Sequence, residues 1–70
     1  MEEVIVNKVQ EFRRRSGLTQ EDLAERVGVS RQTVIAIEKG NYTPSVLLAL
    51  KIAHVFDQTV EALFSIHHEK

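Results

Sequence analysis

An all-α architecture of five helices is predicted by three features of this 70-residue sequence. The chain is full of Leu, Ile, Val, Ala, Glu, Arg and Gln, mostly helix formers, and holds a single proline. Asn-Gly and Asp-Gly pairs, the strongest local marks of a β-hairpin, are missing. Gly17, Gly28 and Gly40 stand where amphipathic stretches end, and glycine takes the left-handed conformation that closes a helix at least cost.

The first helix is predicted from about Glu3 to Ser16, with Ile5, Val9 and Phe12 as its buried stripe and Gly17 as its stop. Thr19 caps the second, answered by Asp22 as a shorter capping-box partner, and Leu23, Ala24 and Val27 face inward. After Gly28 and Val29, Ser30 caps a third helix whose core side holds Val34 and Ile37, and Lys39 and Gly40 end it. Thr43 and Pro44 read as cap and first residue of the fourth helix, where a missing N–H costs nothing. Val46, Ala49, Leu50, Ala53 and Phe56 form its main apolar face, widened by Leu48, Ile52 and Val55. Asp57 to Thr59 breaks it, Val60 to Phe64 makes a short fifth helix, and residues 65–70 read as a polar tail. The expectation is one domain over 1–70 with its core in 5–64.

Composition narrows the function. A chain this short buries only about 60% of its unfolded surface, yet 43% hydrophobic residues spread along its length suffice for a core. With no cysteine there is neither a disulfide framework nor a thiolate zinc site, and the acidic start Met1-Glu2-Glu3 is unlike a signal peptide. No apolar run approaches the roughly 20 residues of a membrane span, so a cytoplasmic protein without membrane partners is expected. The net charge of -1 gives no whole-molecule attraction to a polyanion. The basic residues nevertheless gather in the middle, at Arg13, Arg14, Arg15, Arg26, Arg31 and Lys39, with acids toward both ends.

Two short helices around a glycine turn, over about 19–39, make a helix-turn-helix, whose second helix can lie in a DNA major groove. Many helical hairpins have such a turn and bind nothing, so the exposed residues must decide. With positions 30, 34 and 37 turned inward, the third helix presents Arg31, Gln32, Ile35, Ala36 and Lys39. Arg and Gln match the major-groove edges of guanine and adenine, while Thr33, Ile35 and Ala36 can meet thymine methyls. The bland alternative is a solvated helix start with one exposed apolar residue.

The run Leu18-Thr19-Gln20-Glu21-Asp22-Leu23-Ala24, then Val27-Gly28-Val29-Ser30-Arg31-Gln32-Thr33-Val34, Ile37-Glu38-Lys39-Gly40 and Pro44-Ser45, closely resembles the phage repressor and Cro type of helix-turn-helix, also called the xenobiotic-response-element family. The match spans about Val6 to Phe64. The resemblance implies a compact five-helix, lambda-repressor-like domain that binds duplex DNA sequence-specifically, usually as a homodimer on a two-fold operator. It assigns base reading to Arg31, Gln32, Thr33 and Ala36, with Ile35 beside them. Ala36 is too short for hydrogen-bonded readout. It gives Gln20 a phosphate contact and a bracing role, and gives Lys39, Asn41, Tyr42 and Thr43 the phosphate-holding loop. Thr19 and Ser30, at the two helix starts, are placed with the phosphate contacts. For Tyr42, packing on Pro44 is an equal alternative. Arg13 and Glu38 match a structural ion pair of the family.

Other chemistries fare worse. His54, His67 and His68 lack the preformed ligand set that zinc needs, so no metal and no cofactor are expected. The Ser and Thr residues with evident positions are spent on caps, which argues against an enzyme, and a domain this small leaves little room for a small-molecule pocket. The competing class is a protein-binding module, an antitoxin or adaptor. Leu47 motivates it as the single apolar member of the outward stripe Leu47, Lys51, His54 and Gln58. Val60, Leu63, Phe64 and Ile66 crowd a helix too short to stand alone, and they join Leu47 as the expected dimer or partner surface. Occupancy of a promoter makes repression the expected sign of regulation.

Overall fold

The computed structural model describes residues 2–69, with side chains from 3 to 67. Among the described residues five helices are flanked by two strands: β1 (Glu2–Asn7), α1 (Val9–Arg15), α2 (Gln20–Val27), α3 (Arg31–Lys39), α4 (Val46–Val55), α5 (Val60–Leu63) and β2 (Phe64–Glu69). The fold is therefore not all-α. Residues assigned to the start of the first helix and to a polar tail pair instead as an antiparallel ribbon, with Ile5 opposite Ile66 and Asn7 opposite Phe64. Three consecutive β-branched residues, Val4, Ile5 and Val6, favour extended backbone, and β2 supplies the backbone partners. Ile5 consequently leaves the predicted helical stripe and is exposed, whereas Val9 is buried and Phe12 packs at the edge of the core.

Side-chain caps set the starts of the last four helices. The Thr19 hydroxyl accepts from the Asp22 N–H while the Asp22 carboxylate accepts from the Thr19 N–H, each at 3.0 Å, which completes a capping box. Ser30 caps α3, and Thr59 caps α5. The cap of α4 is Ser45, whose hydroxyl accepts from the Leu48 N–H at 3.1 Å, so Thr43 and Pro44 lie ahead of the helix. Serine beside the apolar run serves as a cap at least as well as threonine two residues earlier.

The core is built from Val9, Leu23, Val34, Ile37, Ile52 and Leu63, all fully buried. From α4, Leu48, Ile52 and Ala53 join it, with Phe56 at the end of the helix, and Val55 packs against its edge. Val46, at 78% exposed, and Leu50 were expected on that face but point away from the core. The helix is apolar around more than half its circumference, and α2 and α5, which pack against it, cover one arc.

Two links hold α3 from outside the core. The Arg13 guanidinium meets the Glu38 carboxylate through Nε at 2.6 Å and Nη2 at 3.3 Å, with side chains 10% and 2% exposed. Arg13 Nη1 also donates to the Leu18 carbonyl at 2.8 Å, which ties α1 to the start of the helix-turn-helix. From the ribbon, Asn7 Nδ2 donates to the Ile37 carbonyl at 2.9 Å, and its Oδ1 accepts from the Val9 N–H at 3.2 Å.

Removing one member of a buried ion pair leaves the other uncompensated, so Glu38→Ala is expected to cost ~3–5 kcal/mol in urea unfolding. Arg13→Met combined with Glu38→Leu should lose far less. A double variant as unstable as Glu38→Ala would contradict this account. A second expectation concerns acid. The Thr19 backbone N–H, and then its hydroxyl, hold the Asp22 carboxyl below its ordinary range. A depressed folded-state value means that the capping contribution is present above the unfolded pKa and fades as pH falls through the folded one. NMR titration should place the Asp22 midpoint low, and Thr19→Ala should raise it; an unmoved midpoint would show the hydroxyl to be irrelevant.

Candidate nucleic-acid interface

The turn between α2 and α3 is set by Gly28, which takes a left-handed conformation (φ 77°) while its N–H and that of Val29 donate to the Ala24 carbonyl. A side chain there would be strained even though the space around it is open. α2 buries Leu23, Ala24 and Val27 against Val34 and Ile37 of α3. The opposite side of α3 starts with Arg31 and Gln32, both exposed, and ends with exposed Lys39. Thr33, Ile35 and Ala36 are half-buried, so Ile35 is not the freely exposed residue that helical spacing predicts. The Thr33 hydroxyl lies 3.1 Å from that of Ser30 and is engaged in the cap.

Gln20, the first residue of α2, donates from Nε2 to Glu38 Oε1 at 3.1 Å. A primary amide has two N–H donors, so one can serve Glu38 while the second stays free for an anion. Glu38 thereby connects α1, α2 and α3 through a single carboxylate. Gln20 and Arg31, at the starts of α2 and α3, line one hollow of about 550 Å³ together with Thr19, Leu18 and Arg13. The hollow sets the Gln20 amide and the Arg31 guanidinium beside the carboxylates of Glu21 and Asp22 on the same wall, so it is of mixed charge. Beyond α3, Asn41, Tyr42 and Thr43 are all exposed in the loop before α4, and the Asn41 N–H is held by the Ala36 carbonyl at 2.9 Å.

The residues assigned to a partner surface separate. Leu63 is 1% exposed and belongs to the core, because α5 docks through it. Val60 and Phe64 are half-buried against that core, whereas Leu47 and Ile66 remain 64% and 63% exposed. His54 and His67 are exposed, and the side chain of His68 lies outside the described residues. Asn7 went unassigned in the sequence: it positions the last turn of α3 from a strand that local patterning did not reveal. The one signal for it was an asparagine directly after a β-branched run.

Residues 9–63 match the family model HTH_3, Helix-turn-helix, so the matched span begins after β1 and stops before β2. The chain is 57% identical over 63 residues to the uncharacterized HTH-type transcriptional regulator YgzD of Bacillus subtilis (strain 168), covering 90% of this chain and 96% of that one. Its structure is similar to that of the restriction-modification controller protein C.AhdI from Aeromonas hydrophila, with a TM-score of 0.72 and 33% identity over 77% of this chain and 82% of the other. It is also similar to the clp gene regulator ClgR from Corynebacterium glutamicum, with a TM-score of 0.73 and 28% identity over 77% of this chain and 57% of the other. A glycine turn between capped helices, a recognition-type helix latched at its end, and this family match lead to one conclusion: the chain belongs to the Cro/C1-type helix-turn-helix family of DNA-binding transcriptional regulators.

Proposed function

We propose that the protein is a cytoplasmic repressor that binds a two-fold operator as a homodimer, with α3 in the major groove. The observation that carries this reading is the start of α3. Arg31 and Gln32 are exposed and, among the described residues, have no hydrogen-bond or ion-pair partner, while the opposite face and the far end of the helix are fixed. Side chains held this way on a rigid support are prepared for guanine and adenine edges. Lys39, Asn41, Tyr42 and Thr43, with Gln20 and the helix starts at Thr19 and Ser30, supply the phosphate contacts that set register. A bound domain covers a promoter by occupancy, which is repression without any further surface.

Leu47 favours a second reading, an antitoxin or adaptor, because an apolar side chain 64% exposed on α4 suits a protein partner. Selection of the purified protein against a random duplex library separates the two. A regulator enriches a palindromic site bound at least about 1,000-fold above a scrambled duplex at physiological salt. An adaptor enriches nothing.

On the selected site, Arg31→Ala should cost about 1–3 kcal/mol and relax preference at one base pair. Gln20→Ala should weaken selected and scrambled duplexes alike. Equal losses on both duplexes for Arg31→Ala would remove it from base reading. With a net charge of -1, the salt dependence of affinity should be shallow, and a slope implying many released counterions would contradict the small set of phosphate contacts.

A further inference from the structure

We propose that Asn7 is a positioning residue for DNA recognition, and that through it the pairing of the two chain ends is linked to the placement of α3 and of the loop that follows. This rests on the major-groove reading of α3 given above. Asn7 is the last residue of β1 and is half-buried. Both ends of its amide are used: Nδ2 donates to the Ile37 carbonyl at 2.9 Å, and Oδ1 accepts from the Val9 N–H at 3.2 Å. Turning the amide over would set oxygen against oxygen and N–H against N–H, so its orientation is fixed.

The Ile37 carbonyl does not need this bond. It already accepts from the Gly40 N–H at 3.0 Å, and the Ala36 carbonyl accepts from the Asn41 N–H at 2.9 Å. With Gly40 left-handed at φ 81°, these two bonds turn the chain out of α3 into Asn41, Tyr42 and Thr43. Asn7 therefore adds a donor to a carbonyl that is already satisfied, and its contribution is one of position. It fixes the point at which the helix that carries Arg31 and Gln32 ends and the loop proposed to meet phosphates begins.

Asn7 has little freedom of its own. It pairs with Phe64 across the ribbon, and the next N–H, that of Lys8, donates to the carbonyl of core residue Leu63 at 2.8 Å. A change in the pairing of the ends is thus passed to α3. The helix rises about 9 Å from Arg31 to Ile37, so a tilt of roughly 6° about its far end moves Arg31 by ~1 Å, more than a hydrogen bond to a base edge tolerates. A duplex without the preferred bases has no such contact to lose, and attraction to its phosphates survives small displacements. Arg13 and Gln20 act on α3 through the Glu38 side chain, whereas Asn7 holds the backbone itself. Asn7 also lies ahead of residues 9–63, the span that matches the family.

Affinities of the full chain for the selected duplex and for a scrambled one test this. Asn7→Asp keeps the acceptor for the Val9 N–H but sets a carboxylate oxygen against the Ile37 carbonyl. Asn7→Ala removes both bonds and adds no charge, so its losses do not come from repulsion by DNA, and it leaves the Ile37 carbonyl paired with Gly40 should Asn7→Asp fail to fold. Each variant should bind the selected duplex about 10-fold more weakly and the scrambled one less than about 2-fold, with helical circular dichroism unchanged. Thr59→Ala, which removes the α5 cap, should lower the midpoint of urea unfolding yet keep the parent's ratio of affinities. Combined with Arg31→Ala, Asn7→Ala should cost the selected duplex clearly less than it costs in the parent, because the contact it positions is gone. Equal losses on both duplexes for the Asn7 variants would overturn the inference, as would a ratio that falls in Thr59→Ala too, or full additivity with Arg31→Ala. A parent chain that selects no duplex would remove the repressor reading and this role with it. A parent that selects one, beside Asn7 variants that keep its selectivity, would remove this role alone.

Discussion

The placement of the recognition helix depends on one carboxylate. Glu38, in the last turn of α3, accepts from Arg13 of α1 and from Gln20 of α2, so one side chain fixes three helices relative to each other. A buried ion pair of this kind contributes little net stability over a well-packed apolar pair, because desolvation offsets most of the attraction. Its contribution is geometric. Leucines at both positions would pack, but they would accept several sliding arrangements of α1 against α3. The bidentate guanidinium accepts one.

A second constraint acts on the same turn. Asn7 binds the Ile37 carbonyl, one residue before Glu38, so the ribbon and the ion pair anchor the C-terminal end of α3 from different elements. The N-terminal end is held by the Ser30 cap and by the turn at Gly28, with its exposed side chains left unpaired. The helix is thus fixed along its axis while the groups that would meet base edges keep their hydrogen-bonding capacity. The backbone of α3 is ordered in folding, so less backbone entropy remains to be lost when DNA binds.

The parts of this arrangement legible in the sequence were local. Thr19 with Asp22, Ser30, and the glycines at 28 and 40 act within four residues of themselves, and their capping chemistry is independent of the rest of the chain. The ribbon was not legible because its strands lie some sixty residues apart in sequence and no turn joins them, so nothing local announces the pairing. Val4-Ile5-Val6 carried the β propensity, but a stripe of Ile5, Val9 and Phe12 at helical spacing competed with it, and the pairing with Phe64–Glu69 decided the outcome. On α4 the spacing showed that the helix is apolar on most sides. Which arc meets the core depends on where α2 and α5 leave room, a tertiary fact. Leu63 was misplaced for the same reason: an apolar stripe in a four-residue helix does not say which member points inward.

The near-neutral charge gives these constraints their importance. A strongly basic domain gains affinity for any duplex from counterion release, and can tolerate loosely held contacts. This chain has ten acidic against nine Lys and Arg residues, and one of its arginines, Arg13, is committed within the fold to Glu38 while Arg15 pairs with Glu11 at the surface. What remains for a DNA surface is a small set of groups whose worth depends on arriving together at the right positions. A 70-residue domain supplies few such contacts. The latch on α3 answers that shortage by fixing where each of these few groups stands.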